Sequence, residues 1–249
     1  MKLSPVSKIA LSGLLLALTI IFTRFLSIQN IPVIPFVRIS IGPALIIFAS
    51  IFLGPIYGGV IGGASDILGI FLVPNALGYS INPWFTLVYT ILGIVPWFIF
   101  KLFKLIKNQK ITFAILIATF VALWVFVLVY GLTHEKIRDV EINTLFRVLV
   151  ISISFVLTAL TVIGLYFINK KYKDSDINIP NIALTALICE VAIMLIGNSI
   201  VKSIFFEVNI LIVLFFQAIV FFIDIPLNTI VISYLLKIAN KVFYKKDSL

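Results

Sequence analysis

The residue types that build disulfides, metal centres and most acid–base catalysts are almost missing from this chain. Its single cysteine, Cys189, lies inside an apolar run, which excludes a disulfide framework or a metal-binding cysteine cluster. Its single histidine, His134, sits in a polar stretch beside Glu135 and Lys136, which removes multi-histidine metal and haem chemistry. Charge is scarce as well, at 12% of residues against roughly 25% in soluble domains. The sequence contains no Gly-x-x-x-x-Gly-Lys-Ser/Thr phosphate loop, no His-Glu-x-x-His zinc motif and no Gly-x-Ser-x-Gly elbow. We therefore expect a non-enzyme, with no catalytic residue, no cofactor and no metal.

What is present is apolar. Hydrophobic residues make up 62% of the 249, and the mean hydropathy is +1.22. The apolar runs are far longer than the ~10 residues of a membrane β-strand, so the expected class is an all-α, polytopic helical membrane protein. Segments of about the 20 residues needed to span a bilayer fall near 8–27, 41–54, 56–73, 84–105, 111–131, 145–168, 182–203 and 211–236. That makes about eight spans, the second and third short and joined by Gly54-Pro55. No loop is long enough to bury a core of its own, so 1–249 reads as one membrane domain.

The net charge of +9 is explained by orientation, without a nucleic-acid partner. With the N-terminus inside, the cytoplasmic positions collect Lys2, Lys8, Lys101, Lys104, Lys107, Lys110, Lys170, Lys171, Lys173, Lys237, Lys241, Lys245 and Lys246. Outer positions and span interiors keep only Arg24, Arg38, Lys136, Arg138, Arg147 and Lys202. Positive residues collect on the cytoplasmic side of membrane proteins, so this pattern predicts both termini inside and an even number of crossings. Residues 1–8 read as a cytoplasmic leader into the first span. Outer loops then fall at 28–40, 74–83, 132–144 and 204–210.

Few polar residues stand out against this background. Arg38 lies at the outer end of the second span, where its guanidinium either pairs with a carboxylate or snorkels to lipid head groups. Asn75, Ser80 and Asn82 lie in the next outer loop and add hydrogen-bonding capacity. Asp66 lies among small residues of the third span. It is either a polar anchor at a substrate or partner interface, or bonded within its own helix. Glu190 and Asp224, in the last two spans, have Arg147 and Lys202 as candidate counter-ions. Ala10, Gly13 and Ala17 share one face of the first span. Small residues at this spacing let membrane helices approach closely, whether the partner is another chain or this one.

The ordered series Arg38-Ile-Ser-Ile-Gly-Pro, Gly54-Pro-Ile-Tyr-Gly-Gly-x-x-Gly-Gly-x-x-Asp66-Ile-Leu-Gly69 and Trp84-Phe-Thr-Leu resembles the substrate-binding S components of energy-coupling factor (ECF) transporters, in their folate-type branch. The likeness covers residues 8–105 well and 184–240 loosely. It implies a multi-pass cell-membrane subunit that captures a vitamin, folate-like or otherwise carboxylated, outside the cell. That subunit would dock onto a membrane coupling subunit through the small-residue faces of its first three spans. Two cytoplasmic ATPases would drive the cycle, and the S component would tilt to release its cargo inside. By the same resemblance Arg38, Ser40, Asn75, Asn82 and Trp84 would bind substrate. Loops 28–37 and 74–83 would gate the site, and Ala10, Gly13 and Ala17 would meet the coupling subunit. Two features depart from the pattern: 106–170 reads as a helical hairpin inserted into a six-span core, and Gln217 stands where the folate branch is expected to have arginine. The alternative is a stand-alone secondary transporter using Asp66, Glu190 and Asp224 as ion sites.

Overall fold

The computed structural model describes residues 3–28, 37–73, 82–105, 109–134, 136–137, 140–141, 144–171 and 179–243. Nearly all of them are helical. Helix α1 (Pro5–Ile20) starts at Ser4, whose hydroxyl accepts from the Ser7 N–H at 3.2 Å, with proline at the first helical position. It ends in a π-helical turn, Ile21–Phe25. Helices α2 (Gly42–Leu53) and α3 (Pro55–Leu72) are separated by Gly54 alone, at φ 110°. That backbone region is closed to residues with a Cβ, so only glycine turns the chain here without strain. Pro55 then starts α3 at once. Asn82 caps α4 (Pro83–Lys104), its side chain accepting from the Trp84 N–H at 2.9 Å.

Helices α5 (Gln109–Thr133) and α6 (Thr144–Lys171) follow, with the short antiparallel strands β1 (Lys136–Ile137) and β2 (Val140–Glu141) between them. Helix α7 (Ile179–Cys189) continues through a π-helical stretch, Glu190–Gly197, into α8 (Asn198–Phe206). The long α9 (Ile210–Phe243) completes the described chain. Among the described residues seven helical segments are long and apolar enough to cross a membrane, and α2 is a shorter apolar eighth. The eight helical segments fall where the hydropathy runs place them. The short second segment is a genuine half-length helix, because Gly54 stops it after 12 residues.

The first half of the bundle is held by backbone contact. A Cβ added to Gly58 would collide with the carbonyl oxygen of Gly93, one on Gly62 with that of Tyr89, and one on Gly93 with the backbone of Gly58. The α3 glycines therefore lie flat against α4. Without a hydrophobic driving force between helices in lipid, such close packing supplies much of the attraction. Pro96 interrupts α4 nearby, and the N–H of Trp97 is taken by the Ser50 hydroxyl of α2 at 3.2 Å. A neighbouring helix thus satisfies backbone that a proline disturbs in the membrane.

Candidate functional site

Both π-helical stretches face one cavity, and they shape it. A π-turn shifts the hydrogen-bond ladder and so leaves carbonyls open to other donors, which is why such turns recur at functional sites. In the first, the Phe22 carbonyl accepts from the Ser40 hydroxyl (3.1 Å) and the Thr23 carbonyl from Arg38 Nη1 (3.2 Å). Arg38 is placed from the other side by a two-way backbone bridge: the Ile28 N–H donates to the Ile39 carbonyl (3.0 Å), and the Ile39 N–H donates back (3.1 Å). Its Nη2 donates to the Tyr89 hydroxyl of α4 at 2.7 Å. The second π-stretch places Glu190 and Met194 on the opposite wall, where the Met194 carbonyl accepts from Gln217 Nε2 at 3.0 Å.

The cavity runs inward from Arg38 and Lys202 towards Glu190 and Asn228, with walls from Val37, Phe85, Tyr89, Val220 and Phe221. Arg24, Ser40, Asp66, Asn198, Gln217 and Asp224 add to its polar lining. Its volume is about 70 Å³, room for a few waters and well below the roughly 300–1,000 Å³ of ordinary small-molecule sites.

Asp66 has its partners within this chain. Its Oδ1 pairs with Arg24 Nη2 at 3.1 Å, its Oδ2 accepts from the Thr86 hydroxyl at 2.8 Å, and the same Arg24 nitrogen also reaches the Asp66 carbonyl. The pair ties α1, α3 and α4 together beside the cavity. Gly69 belongs to the same arrangement: a Cβ there would sit 2.5 Å from Arg24 Nε, so the glycine makes room for the arginine. Deeper in, Asn228 Nδ2 donates to Glu190 Oε1 at 2.9 Å. The Gln217 amide is held at both ends, because the Ser199 hydroxyl donates to its Oε1. Asp224 faces Arg38 and Lys202. Arg147, expected as a counter-ion, instead donates to the His134 carbonyl at 3.1 Å.

The residues singled out from sequence divide as follows. Arg38, Ser40 and Asp66 line the cavity. Asn82 spends its carbonyl on the α4 cap, and Trp84 is exposed at 62%, outside the cavity wall. Asn75 lies outside the described residues. Ala10, Gly13 and Ala17 are all exposed, and a Cβ on Gly13 would meet nothing within 4 Å. The α3 glycines, which belong to the small-residue faces expected to meet a partner, are instead spent on α4. Sequence reasoning missed Arg24, Tyr89, Asn198 and Asn228 as cavity residues. Only Asn228 carried a signal, a polar residue two positions after a mid-helix proline.

Among the described residues the helical bundle thus carries a polar, charge-lined cavity that reaches into its interior, a feature shared with membrane-embedded binders of small molecules. The chain belongs to the ECF-type riboflavin transporter S-component family, whose model matches residues 4–173. It is also 32% identical over 105 residues to the folate transporter FolT of Clostridium novyi (strain NT). That alignment covers 42% of this chain and 56% of the relative, so the chain spans little more than half of that protein's length. No solved structure matches the chain. The family match ends before α7, whereas Glu190, Met194, Asn198, Lys202, Gln217, Asp224 and Asn228 all lie beyond it.

Proposed function

We propose that this protein is the substrate-binding subunit of an ECF-type importer, taking a vitamin from outside the cell. The cargo class is a folate-like or otherwise carboxylated vitamin, or riboflavin itself. The observation that carries this reading is Arg38. It sits at the cavity's outer end, oriented by Tyr89 and the Thr23 carbonyl, in a chain of a transporter family. A guanidinium held this way offers a forked donor set to a carboxylate. Because the cavity holds only about 70 Å³, binding widens it, and the gate expected at 28–37 and 74–83 falls mostly on positions outside the described residues.

Release inside would follow tilting of the whole subunit on a membrane coupling subunit driven by two ATPases. The Ala10, Gly13 and Ala17 face supports such docking, since it is exposed among the described residues. The α5–α6 hairpin is the inserted element relative to a six-span core.

The test is calorimetry on the purified chain in nanodiscs with folate and riboflavin, without ATP. One of them binds, and if it is folate, Arg38→Ala weakens binding by tenfold or more. Binding of neither vitamin would sink the reading, and folate binding indifferent to Arg38 would sink the role of that residue. A second reading, a stand-alone secondary transporter, draws on Glu190 and Asp224 lining the cavity. It predicts uptake by vesicles holding this chain alone, driven by an ion gradient, where the first reading predicts none.

A further inference from the structure

A second cavity lies apart from the polar one, between α6 and α9. It holds about 320 Å³, walled by Leu157, Leu160 and Gly164 on one side and by Phe222, Leu227 and Ile230 on the other. At that size it enters the range of small-molecule sites, which the 70 Å³ polar cavity does not. Phe222, 1% exposed, closes its floor, while Leu160 on its rim is 60% exposed. Thr161 in its wall donates its hydroxyl to the Leu157 carbonyl at 2.8 Å, and so needs no polar occupant. Gly164 is the reason for the gap. A Cβ there would meet nothing within 4 Å, whereas one on Gly58 or Gly62 would strike the backbone of α4. Apolar walls that face a void forgo their dispersion contacts, and inside a bilayer the material at hand is hydrocarbon chain.

The chain beyond the groove says which lipid. On α9, Ile223, Leu227 and Ile230 are followed at helical spacing by Tyr234 and then by Lys237 and Lys241, all three of the latter exposed. Ile230 and Lys237 are seven residues apart, as are Gly164 and Lys171 at the end of α6, and each interval is about 10 Å of helix. Neither 157–171 nor 225–243 contains an acidic residue. Apolar surface, then a phenol, then cations is the polarity of an anionic phospholipid read from its chains to its head. We propose that the α6–α9 groove seats one acyl chain of an anionic phospholipid, whose phosphate is held by Lys237 and Lys241. The lipid fills the gap left by Gly164 and fastens α6 to α9. This site is separate from the polar cavity and independent of any cargo bound there.

The experiment uses the full chain in nanodiscs of phosphatidylcholine, with and without a minority of phosphatidylglycerol, and native mass spectrometry of the chain released from each. The unaltered chain retains phosphatidylglycerol in preference to phosphatidylcholine. It also melts several degrees higher where phosphatidylglycerol is present, since a ligand held by the folded state stabilises it. Lys237→Gln with Lys241→Gln weakens retention about tenfold or more, at roughly fivefold for each lysine near an anionic surface. Lys104→Gln, at the end of α4, leaves retention unchanged. Gly164→Phe fills the notch from open space, so melting in phosphatidylcholine alone holds or rises, while the retained lipid and the gain from phosphatidylglycerol are lost. Should that variant not fold, Leu160→Trp narrows the groove from its exposed rim. Equal retention of the two lipids, or an effect of Lys104→Gln matching that of the lysine pair, means general attraction to the membrane surface and overturns the proposal. Retention undiminished when the groove is filled overturns it too, by placing the lipid elsewhere. Dimers on size-exclusion chromatography that Gly164→Phe splits would give the groove to a second copy of the chain in place of lipid.

Discussion

Two faces of this protein carry the same sequence signature and meet opposite fates. Ala10, Gly13 and Ala17 of α1, and Gly58, Gly59, Gly62 and Gly63 of α3, are both stripes of small residues on apolar helices. The α3 stripe is consumed inside the chain, with Gly58 and Gly62 pressed on the backbone of α4. The α1 stripe stays exposed, with open space where a Gly13 side chain would stand. Small residues permit close approach but do not say whose helix approaches. The difference therefore separates a face that holds the bundle together from one available to another protein.

Substitutions along the two stripes sharpen this contrast, and the largest effect falls on α3. Gly62→Leu drives a side chain into the Tyr89 carbonyl, a collision with backbone that cannot swing aside. Overpacking of this kind costs at least about 1–3 kcal/mol, and more against rigid main chain. We expect the variant to be lost as monodisperse protein on size-exclusion chromatography. Near-normal yield and melting would mean that α3 and α4 are not in backbone contact.

Next comes the ion pair that fastens the same helix from its other end. Asp66→Ala leaves Arg24, 11% exposed, without its carboxylate. Breaking a buried pair by removing one partner costs about 3–5 kcal/mol, less here because Arg24 retains the Asp66 carbonyl. Thermal unfolding in nanodiscs should fall by several degrees. Asp66→Ala with Arg24→Leu should recover part of the loss, and failure to recover any would argue against the pair as the cause.

The smallest effect on the isolated chain is expected at α1. Gly13→Leu fills open space and replaces a poor helix former, a change of at most about 1 kcal/mol, towards greater stability. Its melting temperature should stay level or rise slightly. Association with the membrane coupling subunit, read by co-purification, should be lost. If Gly13→Leu unfolds the chain, or leaves co-purification intact, the two stripes do not differ in the way proposed.

The candidate site was partly legible beforehand. Arg38 stood out because a cation at the end of an apolar run is rare enough to draw notice, and it does line the cavity. Asp66 stood out for the same reason, but its partner did not. Arg24 lies 42 residues away, and only the folding of α1 beside α3 brings the two to 3.1 Å. Trp84 and Asn82 sit in the right motif, yet the α4 cap turns one outward and occupies the other. Gln217, noticed only as a departure from arginine, proves to be a cavity residue anchored by Met194 and Ser199.

The sequence by itself determined the class, the eight apolar helical segments and the tight turn at Gly54. Hydropathy over about 20 residues and the conformational freedom of Gly54 are local properties that need no knowledge of neighbours. Only the tertiary structure decided which stripe is spent, which acid is paired and which polar groups line the cavity. Those outcomes depend on the distance between helices far apart in sequence. In a membrane, where lipid is as apolar as the side chains, hydrophobicity alone does not choose one helix face over another. Backbone fit and the pairing of a few buried polar groups make that choice, and both exist only once the helices have met.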